Sequence, residues 1–408
     1  MREGGFKMKK LVSFMLVAAM VAATLTGCGS SDNAKSTEAA GESSAAGESS
    51  AAAGTTFKIG GIGPVTGGAA LYGLAVQRGA QIAVDEINAA GGINGTQIEF
   101  NFQDDEADAE KSVNAYNSLK DWGMQMLMGT VTSTPCVSVA AKTAEDNMFQ
   151  LTPSGSSVEC VQSDNAFRVC FSDPDQGKKS AQYIGEHKLA TKVAVIYDSS
   201  DTYSTGIYES FKSEAANQGI EVVAEGAFTA DNKTDFSVPL QQAQAAGAEL
   251  VFLPIYYTEA SLIITQANKM GYAPQFFGCD GLDGLIGVEN FDQSLAEGVM
   301  LLTPFSATSE DEKSQAFVKA YEDANKDEVP NQFAADTYDV LYAMKAAADA
   351  AEITPDMSNE DISAAMSEAM LSVELDGLTG KAKWTEDGEC DKEPKAFEIQ
   401  DGAYVEME

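Results

Sequence analysis

Short apolar runs alternate with helical stretches from residue 57 onward, and this alternation most constrains the fold. The first predicted strands are residues 57–63, 97–103, 124–128 and 148–152. The predicted helices between them are residues 74–89, 107–122 and 134–147. These strands lack the strict polar–apolar alternation of a half-exposed sheet, so we predict parallel strands covered by helices on both faces. The pattern indicates a doubly wound α/β domain.

The second half of the chain repeats this architecture. After residues 167–170, strands are predicted at residues 192–197, 220–224, 249–254 and 275–278. A strand at residues 299–302, a helical block at 309–370 and short strands at 381–384, 397–400 and 403–406 follow. The body of about 350 residues is longer than one core usually serves, which predicts two domains. The late helices and strands suggest that each domain is completed by a later piece of chain.

The N-terminal residues have the parts of a secretion signal. Basic residues at positions 2, 7, 9 and 10 precede an apolar stretch over residues 11–26. The tetrad LTGC that ends at Cys28 resembles the bacterial lipobox, in which the cysteine receives a diacylglyceride. We therefore expect residues 1–27 to be a lipoprotein signal peptide. Met8 is an alternative start, and an ordinary cleavage site beside an incidental cysteine is the alternative for Cys28.

The segment after Cys28 predicts a tether. Residues 29–56 are mostly Ser, Ala, Gly and Glu, a composition that cannot bury a core. We expect residues 28–56 to be the lipidated cysteine and a flexible linker with an r.m.s. reach of roughly 30 Å. The formal charge of the chain is −36, and it becomes −39 without residues 1–27, which hold four basic and one acidic residue. This charge argues against a nucleic-acid partner, whose phosphates it would repel.

The cysteines and the single histidine do not have metal-site spacing. Besides Cys28, the cysteines are Cys136, Cys160, Cys170, Cys279 and Cys390, and His187 is the one histidine. Neither CxxC nor a Cys/His pattern occurs, so we expect no metal. A disulfide between Cys160 and Cys170 and buried free thiols remain alternatives, because spacing does not decide between them.

The stretch MLMGTVTSTP, residues 126–135, joins a predicted strand to a predicted helix. Thr134 is predicted as the N-cap and Pro135 as the first helical residue. Free backbone N–H groups and the helix dipole at such a junction favour an anion. Helix capping by Ser133 and Thr134 alone is the alternative interpretation.

A nucleotide cofactor is not expected. The glycine-rich stretch GGIGPVTGG follows a strand, but the dinucleotide fingerprint requires glycine where Thr66 stands, and Pro64 removes a backbone donor. No phosphate-binding loop with its lysine occurs either. We therefore predict no cofactor.

Several motifs together resemble those of the type I periplasmic substrate-binding proteins of ABC importers, particularly the leucine/isoleucine/valine-binding branch. The motifs are GPVTGGAALYG, AVDEINAAGGINGTQIE, the aspartate pair at 104–105, LTPSGSS, FRVCFSDPDQG and FFGCDG. Their order and spacing extend the resemblance over residues 57–408. The family fold is two Rossmann-like doubly wound lobes joined by three crossover segments, with the ligand in the cleft.

The resemblance implies lobe boundaries. The crossings are expected near Ser172, Thr303 and Trp384. The N-terminal lobe then comprises residues 57–172 and 304–383, and the C-terminal lobe residues 173–303 and 384–408. The disulfide positions of the family fall on Ala107 and Thr132 here, so that bridge is absent.

The resemblance also implies ligand contacts. In the family, the α-carboxylate of the ligand accepts from a serine hydroxyl and a backbone N–H at the strand-to-helix edge, and the matching residue is Ser133. Ser154 and Ser156 match positions where a backbone carbonyl and a hydroxyl accept hydrogen bonds from the ammonium. A backbone N–H at these positions also donates to the carboxylate. Asp280 matches the counter-charge of the ammonium, where the leucine-binding branch often has glutamate. The other matching positions are the cleft tyrosines Tyr72, Tyr203 and Tyr256, and Val131, Thr132 and Phe333 near the ligand side chain.

Ordinary packing is the alternative for Tyr203 and Phe333, and a turn is the alternative for Asp280.

We expect an extracytoplasmic lipoprotein, monomeric and without catalytic activity, that captures an amino acid of branched-chain or other apolar type and delivers it to an ABC permease. An exported enzyme is the first rival, but no Gly-x-Ser-x-Gly or metal cluster supports it. A receptor for an amide, urea or an aromatic acid is the second rival. A ligand of this kind has no ammonium group, so it would leave the Asp280 carboxylate unpaired.

Overall fold

The computed structural model of the chain describes residues 56–326 and 328–407. The predicted signal peptide, the predicted lipidation site at Cys28 and the predicted linker up to residue 55 lie outside the described residues. Within the described ranges, no helix has both the length and the apolar character needed to cross a membrane.

Strands and helices alternate along most of the described chain. The strands are β1 (Phe57–Gly63), β2 (Ile98–Asp104), β3 (Met126–Gly129), β4 (Gln150–Thr152), β5 (Ala166–Arg168), β6 (Lys192–Asp198), β7 (Glu221–Phe228), β8 (Leu250–Leu253), β9 (Gln275–Gly278), β10 (Met300–Thr303), β11 (Glu374–Gly377), β12 (Gly380–Lys383), β13 (Lys395–Gln400) and β14 (Ala403–Glu406). The helices are α1 (Ala70–Ala89), α2 (Ala109–Trp122), α3 (Ser133–Asp146), α4 (Asp173–Glu186), α5 (Thr202–Ala215), α6 (Ser237–Ala246), α7 (Tyr257–Lys269), α8 (Glu312–Ala324), α9 (Gln332–Ala350) and α10 (Asn359–Met370). Short 3-10 helices lie at Val158–Val161, Asp280–Leu282, Leu285–Gly287 and Gln293–Ala296.

The first sheet has the strand order β2-β1-β3-β4-β5, and all its pairs are parallel. Strand β3 is buried on both faces. Met126 and Met128 belong to the core that includes α1 and α9, whereas Leu127 packs with residues of α2 and α3. The prediction of buried parallel strands with helices on both faces is therefore confirmed for this sheet.

The second sheet has the order β14-β13-β10-β9-β8-β6-β7. Strands β6 to β10 are parallel, and β13 and β14 add an antiparallel edge. Leu250 and Phe252 of β8 pack in the core that includes α4 and α5, whereas Val251 and Leu253 pack in the core that includes α6 and α7. Each sheet is thus one doubly wound layer between helices.

The late part of the chain is divided between the two sheets. Helices α8 and α9 return to the first sheet, where both contact α1, whereas β13 and β14 extend the second. The hairpin of β11 and β12 belongs to neither large sheet. This division agrees with the expectation that later segments complete both lobes, and the lobe boundaries themselves stay a prediction.

Several sequence-based boundaries differ from the structure. The helical block at 309–370 is three helices, and the predicted strand at 381–384 forms the small hairpin instead of joining a large sheet. Strands β5 and β11 were not predicted because three or four residues carry too little pattern, and pairing with neighbours defines them. The five described cysteines are buried free thiols, so the alternative of a Cys160–Cys170 disulfide is not observed.

Candidate ligand-binding site

The candidate site lies where parallel strands end. Ser133 follows β3 of the first sheet, and Tyr256 and Asp280 follow β8 and β9 of the second. In each sheet the strand order reverses beside one of these strands, between β1 and β3 and between β6 and β8. Ligands of open α/β sheets bind outside the carboxyl ends of strands at such reversal points.

A small cavity brings together nine of the ten residues predicted to contact a ligand. It is lined by Tyr72, Val131, Thr132, Ser133, Ser154, Tyr203, Tyr256, Asp280, Gly281 and Phe333. The space left between these residues is about 10 Å³, roughly enough for one water molecule. The predicted residues in this set, other than Tyr256, are at most 5% exposed. The lining is therefore tightly closed and withdrawn from water.

Helix α3 begins at the cavity. Thr132 has extended backbone angles, and its carbonyl accepts from the Cys136 N–H over 3.0 Å, so Thr132 is the N-cap and Ser133 the first helical residue. The prediction of Thr134 as N-cap and Pro135 as first helical residue is therefore wrong by two positions. Each of three consecutive hydroxyl residues is a plausible cap, and local sequence does not choose among them. The correction places Ser133 at the positive end of the helix dipole.

Two backbone N–H groups fix the position of the Ser133 hydroxyl. Its oxygen accepts from the backbone N–H groups of Ser156 and Ser157, each over 3.2 Å. These bonds leave the hydroxyl proton of Ser133 available as a donor to a ligand. The Thr132 hydroxyl, which also lines the cavity, is buried without a hydrogen-bond partner among the described residues. This side of the cavity is consequently rich in donors and suits an anion.

Ser156 is the one predicted contact residue that does not line the cavity. Its hydroxyl oxygen lies 3.4 Å from that of Ser133, and its N–H supports the same group. Ser154 does line the cavity, but its hydroxyl donates to the Val131 carbonyl over 2.7 Å. Arg168, fully buried, donates to the carbonyls of Gly155 and Ser157 over 3.1 and 2.9 Å. The loop behind Ser133 is thus fixed by its own internal bonds.

Asp280 supplies a negatively charged group that complements the donor-rich edge. Burial raises the pKa of its carboxyl to about 6, although hydrogen bonds from Tyr203 and Gln176 act in the other direction. The Tyr203 hydroxyl donates to Asp280 Oδ1 over 2.7 Å and accepts from the Gly281 N–H over 2.9 Å. The turn after β9 therefore carries a buried carboxylate with a fixed orientation, which is more than an ordinary turn residue requires.

Aromatic rings form much of the remaining wall. The Tyr72 ring lies 4.2 Å from that of Phe333 and 5.6 Å from that of Tyr256, measured between centroids. Tyr203 stacks on Tyr256 at 5.0 Å. Burial raises the pKa of all three tyrosines well above its ordinary value, so their hydroxyls stay neutral. The wall offers apolar contact to an uncharged part of a ligand.

Hydrogen bonds close the cavity between elements of the two sheets. The Tyr72 hydroxyl donates to the Gly281 carbonyl over 2.5 Å, and the Leu71 N–H donates to the Tyr257 hydroxyl over 3.0 Å. On the side of α3, the Thr134 hydroxyl donates to Asp201 Oδ1 over 2.9 Å. Elements from both sheets are therefore joined around an enclosed space.

Asp173 is a buried carboxyl that sequence reasoning did not assign. It is 1% exposed, and no hydrogen bond within the described residues reaches either oxygen. Burial raises its pKa well above the ordinary value, while the nearby Ser156 hydroxyl acts to lower it. Its motif, FRVCFSDPDQG, supports the family resemblance and contains the expected crossing near Ser172, but gives Asp173 no role. The signal that could have identified it is an aspartate at the start of a helix directly after that crossing.

The site holds groups for binding and lacks those of common hydrolases. Among the described residues, no cluster of His, Cys, Asp and Glu is suited to a metal. His187 stacks on Tyr183 at 4.0 Å and does not line the cavity. A donor-rich edge, a carboxylate and apolar rings in one closed cavity are the requirements for holding a small zwitterion.

Known proteins share this sequence and fold. The periplasmic binding protein family matches residues 56–403. The chain is 29% identical over 359 residues to the Leu/Ile/Val-binding protein homolog 3 of Brucella melitensis, covering 86% of this chain and 93% of that protein. It is 29% identical over 274 residues to the leucine-, isoleucine-, valine-, threonine- and alanine-binding protein of Pseudomonas aeruginosa, covering 67% and 72% of the two chains.

A solved structure agrees with these relatives. The branched-chain amino acid transporter substrate binding protein LivJ from Streptococcus pneumoniae, in complex with isoleucine, superposes with a TM-score of 0.77 at 29% identity. The match covers 86% of this chain and 100% of LivJ. The predicted fold and the prediction of a binding protein instead of an enzyme are confirmed. The chain belongs to the periplasmic binding protein family, within the type I fold of the substrate-binding proteins of ABC transporters.

Proposed function

We propose that the protein binds an amino acid between its two lobes. The observation that carries the proposal is that Ser133 at the start of α3 and Asp280 after β9 line the same closed cavity. Ser133 and the free N–H groups of α3 would receive the α-carboxylate, and Asp280 would receive the ammonium. Ser154 and the loop at Ser156 would fix the carboxylate edge.

The apolar lining supports a branched-chain or other apolar amino acid. Val131, Phe333 and the ring of Tyr72 offer no charged partner for a ligand side chain. One sequence relative is named a homolog of Leu/Ile/Val-binding proteins, and the other is named for binding leucine, isoleucine, valine, threonine and alanine. LivJ is in complex with isoleucine. Thr132, with its unpaired hydroxyl, and Tyr256 would contact the ligand at the edge of this apolar region.

A related small solute, such as an amide, urea or an aromatic acid, is the second candidate. The donor-rich edge would hold the carboxylate of an aromatic acid equally well. Asp280 argues against it, because a ligand without an ammonium leaves a buried carboxylate without a cationic partner. Protonation of that carboxylate, whose pKa is already near 6, would be required.

We further propose that the protein is a monomer anchored through a lipid on Cys28, and that it delivers its ligand to an ABC permease. The lobes would comprise residues 57–172 with 304–383 and residues 173–303 with 384–408. The assignment of strands to two separate sheets supports this division. The position of Cys28 directly after an apolar leader supports the anchor.

Thermal unfolding in the presence of the common amino acids, small amides, urea and benzoate tests the ligand proposal. A ligand at 100 times its dissociation constant adds roughly 2.7 kcal/mol to the free energy of unfolding. Leucine, isoleucine or valine should raise the Tm, and glutamate and lysine should not. A rise with benzoate or urea and with no amino acid would favour the second candidate.

The anchor has a separate test. Cys28→Ala should move the protein from the membrane fraction to the soluble fraction, because the acylated sulfur is removed. Immunoblotting of both fractions measures this, and the size of the mutant must show that the leader has been cleaved. A cleaved Cys28→Ala protein that stays with the membrane would exclude lipidation at this residue.

A further inference from the structure

Two fully buried thiols lie directly behind the donor-rich edge. Cys136 is in the first turn of α3, and Cys160 is in the short helix Val158–Val161. Both are 0% exposed and belong to one small cluster with Val161. The neighbouring Cys160 thiol holds the pKa of Cys136 below its ordinary value, while burial raises the pKa of Cys160. The two cysteine side chains thus pack together in one buried cluster.

Each thiol of this pair also has a polar neighbour. The Cys160 thiol also donates to the Ser133 carbonyl over 3.8 Å, and Cys136 Sγ accepts from the Gln150 amide over 3.5 Å. A Cβ atom built at Gly155 would lie only 2.6 Å from Cys136 Sγ, so no other side chain can enter there. The remaining described cysteines lie elsewhere. Cys279, for example, has the Ser180 hydroxyl at 3.5 Å as its neighbour.

We propose that Cys136 and Cys160 form an intramolecular disulfide in the extracytoplasmic protein. Compartments outside the cytoplasm favour disulfides, and the packing of Cys136 and Cys160 in one small cluster singles out this pair among the five described cysteines. The five described cysteines then form one disulfide bridge and three buried free thiols. The pairing is independent of the identity of the ligand.

The oxidation requires a disulfide compound as the electron acceptor. The Cys136 thiolate attacks one sulfur of the acceptor, and the other sulfur leaves as a thiolate that takes up a proton. The Cys160 thiolate then attacks Cys136 Sγ in the mixed disulfide and releases the second thiol. Two thiols of the protein thereby lose two electrons and two protons, and the acceptor becomes two thiols. Because both cysteines are fully buried, this step belongs to folding after export.

The bridge would join the two chain segments that hold Ser133. Cys136 lies one helical turn after Ser133, and Cys160 closely follows Ser157, whose N–H donates to the Ser133 hydroxyl. A covalent link between these segments limits their separation in the unfolded chain and fixes their distance in the folded one. The bridge is therefore expected to stabilise the edge to which the carboxylate of a ligand would bind.

Differential labelling tests the pairing on the unmodified chain. The full protein is unfolded, refolded with oxidised and reduced glutathione, denatured at low pH and treated with N-ethylmaleimide, then reduced and treated with iodoacetamide. Peptide mass mapping should find the iodoacetamide label at Cys136 and Cys160, and the maleimide label at Cys170, Cys279 and Cys390. Maleimide on both Cys136 and Cys160, or a bridge from either to another cysteine, would overturn the proposal.

Cys160→Ser and the matched control Cys279→Ser provide the second measurement. Reduction by dithiothreitol should lower the Tm of the wild-type protein and of Cys279→Ser by on the order of 5 °C. The Tm of Cys160→Ser should not respond. If Cys160→Ser responds as the wild-type protein does, the stabilising bridge is elsewhere and the proposal fails. If Cys160→Ser does not fold, the labelling of the wild-type chain still decides. Neither readout uses a ligand, so failure here leaves the proposed amino-acid site untouched.

Discussion

The Tyr203 hydroxyl donates a 2.7 Å hydrogen bond to Asp280 Oδ1, and both residues line the closed cavity. Neutral donors do not compensate a buried charge, so the carboxyl keeps a pKa of about 6 instead of its ordinary value near 4. A ligand ammonium beside Asp280 would supply the missing positive charge. The pair therefore makes the cavity selective for ligands that carry a positively charged group.

The affinity for an amino acid should fall as the pH drops below about 6. Ammonium binding requires the charged form of Asp280, so the dissociation constant should rise roughly tenfold per pH unit well below that pKa. The stability of the free protein should change in the opposite direction. The folded-state pKa of Asp280 lies above its unfolded value, so its buried charge costs stability above pH 6, and this cost disappears as the pH falls toward 4. Isothermal titration calorimetry and urea unfolding between pH 4.5 and 7.5 measure the two trends.

Asp280→Asn is the control for this pH dependence. It keeps the shape of the side chain and removes the titrating charge, so the dissociation constant should depend less on pH. At pH 7.5 the free energy of binding should weaken by a few kcal/mol. The mutant should also lose its discrimination against 4-methylpentanoate relative to leucine. Asp283→Asn, at a buried carboxyl that does not line the cavity, should retain that discrimination. If Asp280→Asn binds leucine as tightly as the wild-type protein, Asp280 does not hold the ammonium.

Ser133→Ala should weaken binding and also lower stability. Loss of a charge-assisted hydrogen bond to the carboxylate is worth about 1.5 to 3 kcal/mol in binding. The N–H groups of Ser156 and Ser157 would also lose their acceptor, and a buried unpaired donor costs about 1 to 3 kcal/mol. Titration with leucine and with leucinamide, together with urea unfolding, separates the two effects. The amide should lose less affinity than the acid, and equal losses for both would contradict a carboxylate at Ser133.

Arg168→Met should destabilise the protein far more than Arg78→Met. Arg168 is fully buried, its Nε lies 3.1 Å from Glu389 Oε2, and it donates to two carbonyls of the loop behind Ser133. Because the Glu389 side chain is 35% exposed, the main cost comes from the two buried carbonyls that lose their donor, about 1 to 3 kcal/mol each. Arg78 pairs with Glu328 at the surface, where such pairs contribute about 0 to 1 kcal/mol. Urea unfolding of both mutants gives the comparison, and similar losses would show that Arg168 does not hold the loop.

The sequence was sufficient to predict the two-sheet fold and the residues that meet at the cavity. Buried strands without period-two alternation require helices on both faces, and β3 and β8 have that pattern. The residues around the cavity were predicted from motif positions, because Ser133 and Asp280 are far apart in the chain and only the fold brings them together. What these residues bind remains a prediction.

The remaining details depend on contacts that sequence does not encode locally. The start of α3 was misplaced because Thr132, Ser133 and Thr134 are all good caps, and the bond from Cys136 to Thr132 decides among them. Spacing leaves a Cys160–Cys170 disulfide and buried free thiols as alternatives, whereas packing places Cys136 beside Cys160. The place of Asp173 at the start of a helix is visible in the sequence, but its burial without hydrogen-bond partners depends on its neighbours in the fold.

Ligand binding should make the protein more compact. The bonds from Tyr72 to Gly281 and from Thr134 to Asp201 join elements of the two sheets in this closed form. Without ligand, a few such bonds compete with hydration of the cavity, so an open form should be populated. Small-angle X-ray scattering should give a smaller radius of gyration at saturating ligand than without it. Thr134→Val, which removes one closing bond and no ligand contact, should raise the dissociation constant about 2- to 10-fold and leave the compact form reachable at saturation. The same radius with and without saturating ligand would exclude lobe closure as the response to binding.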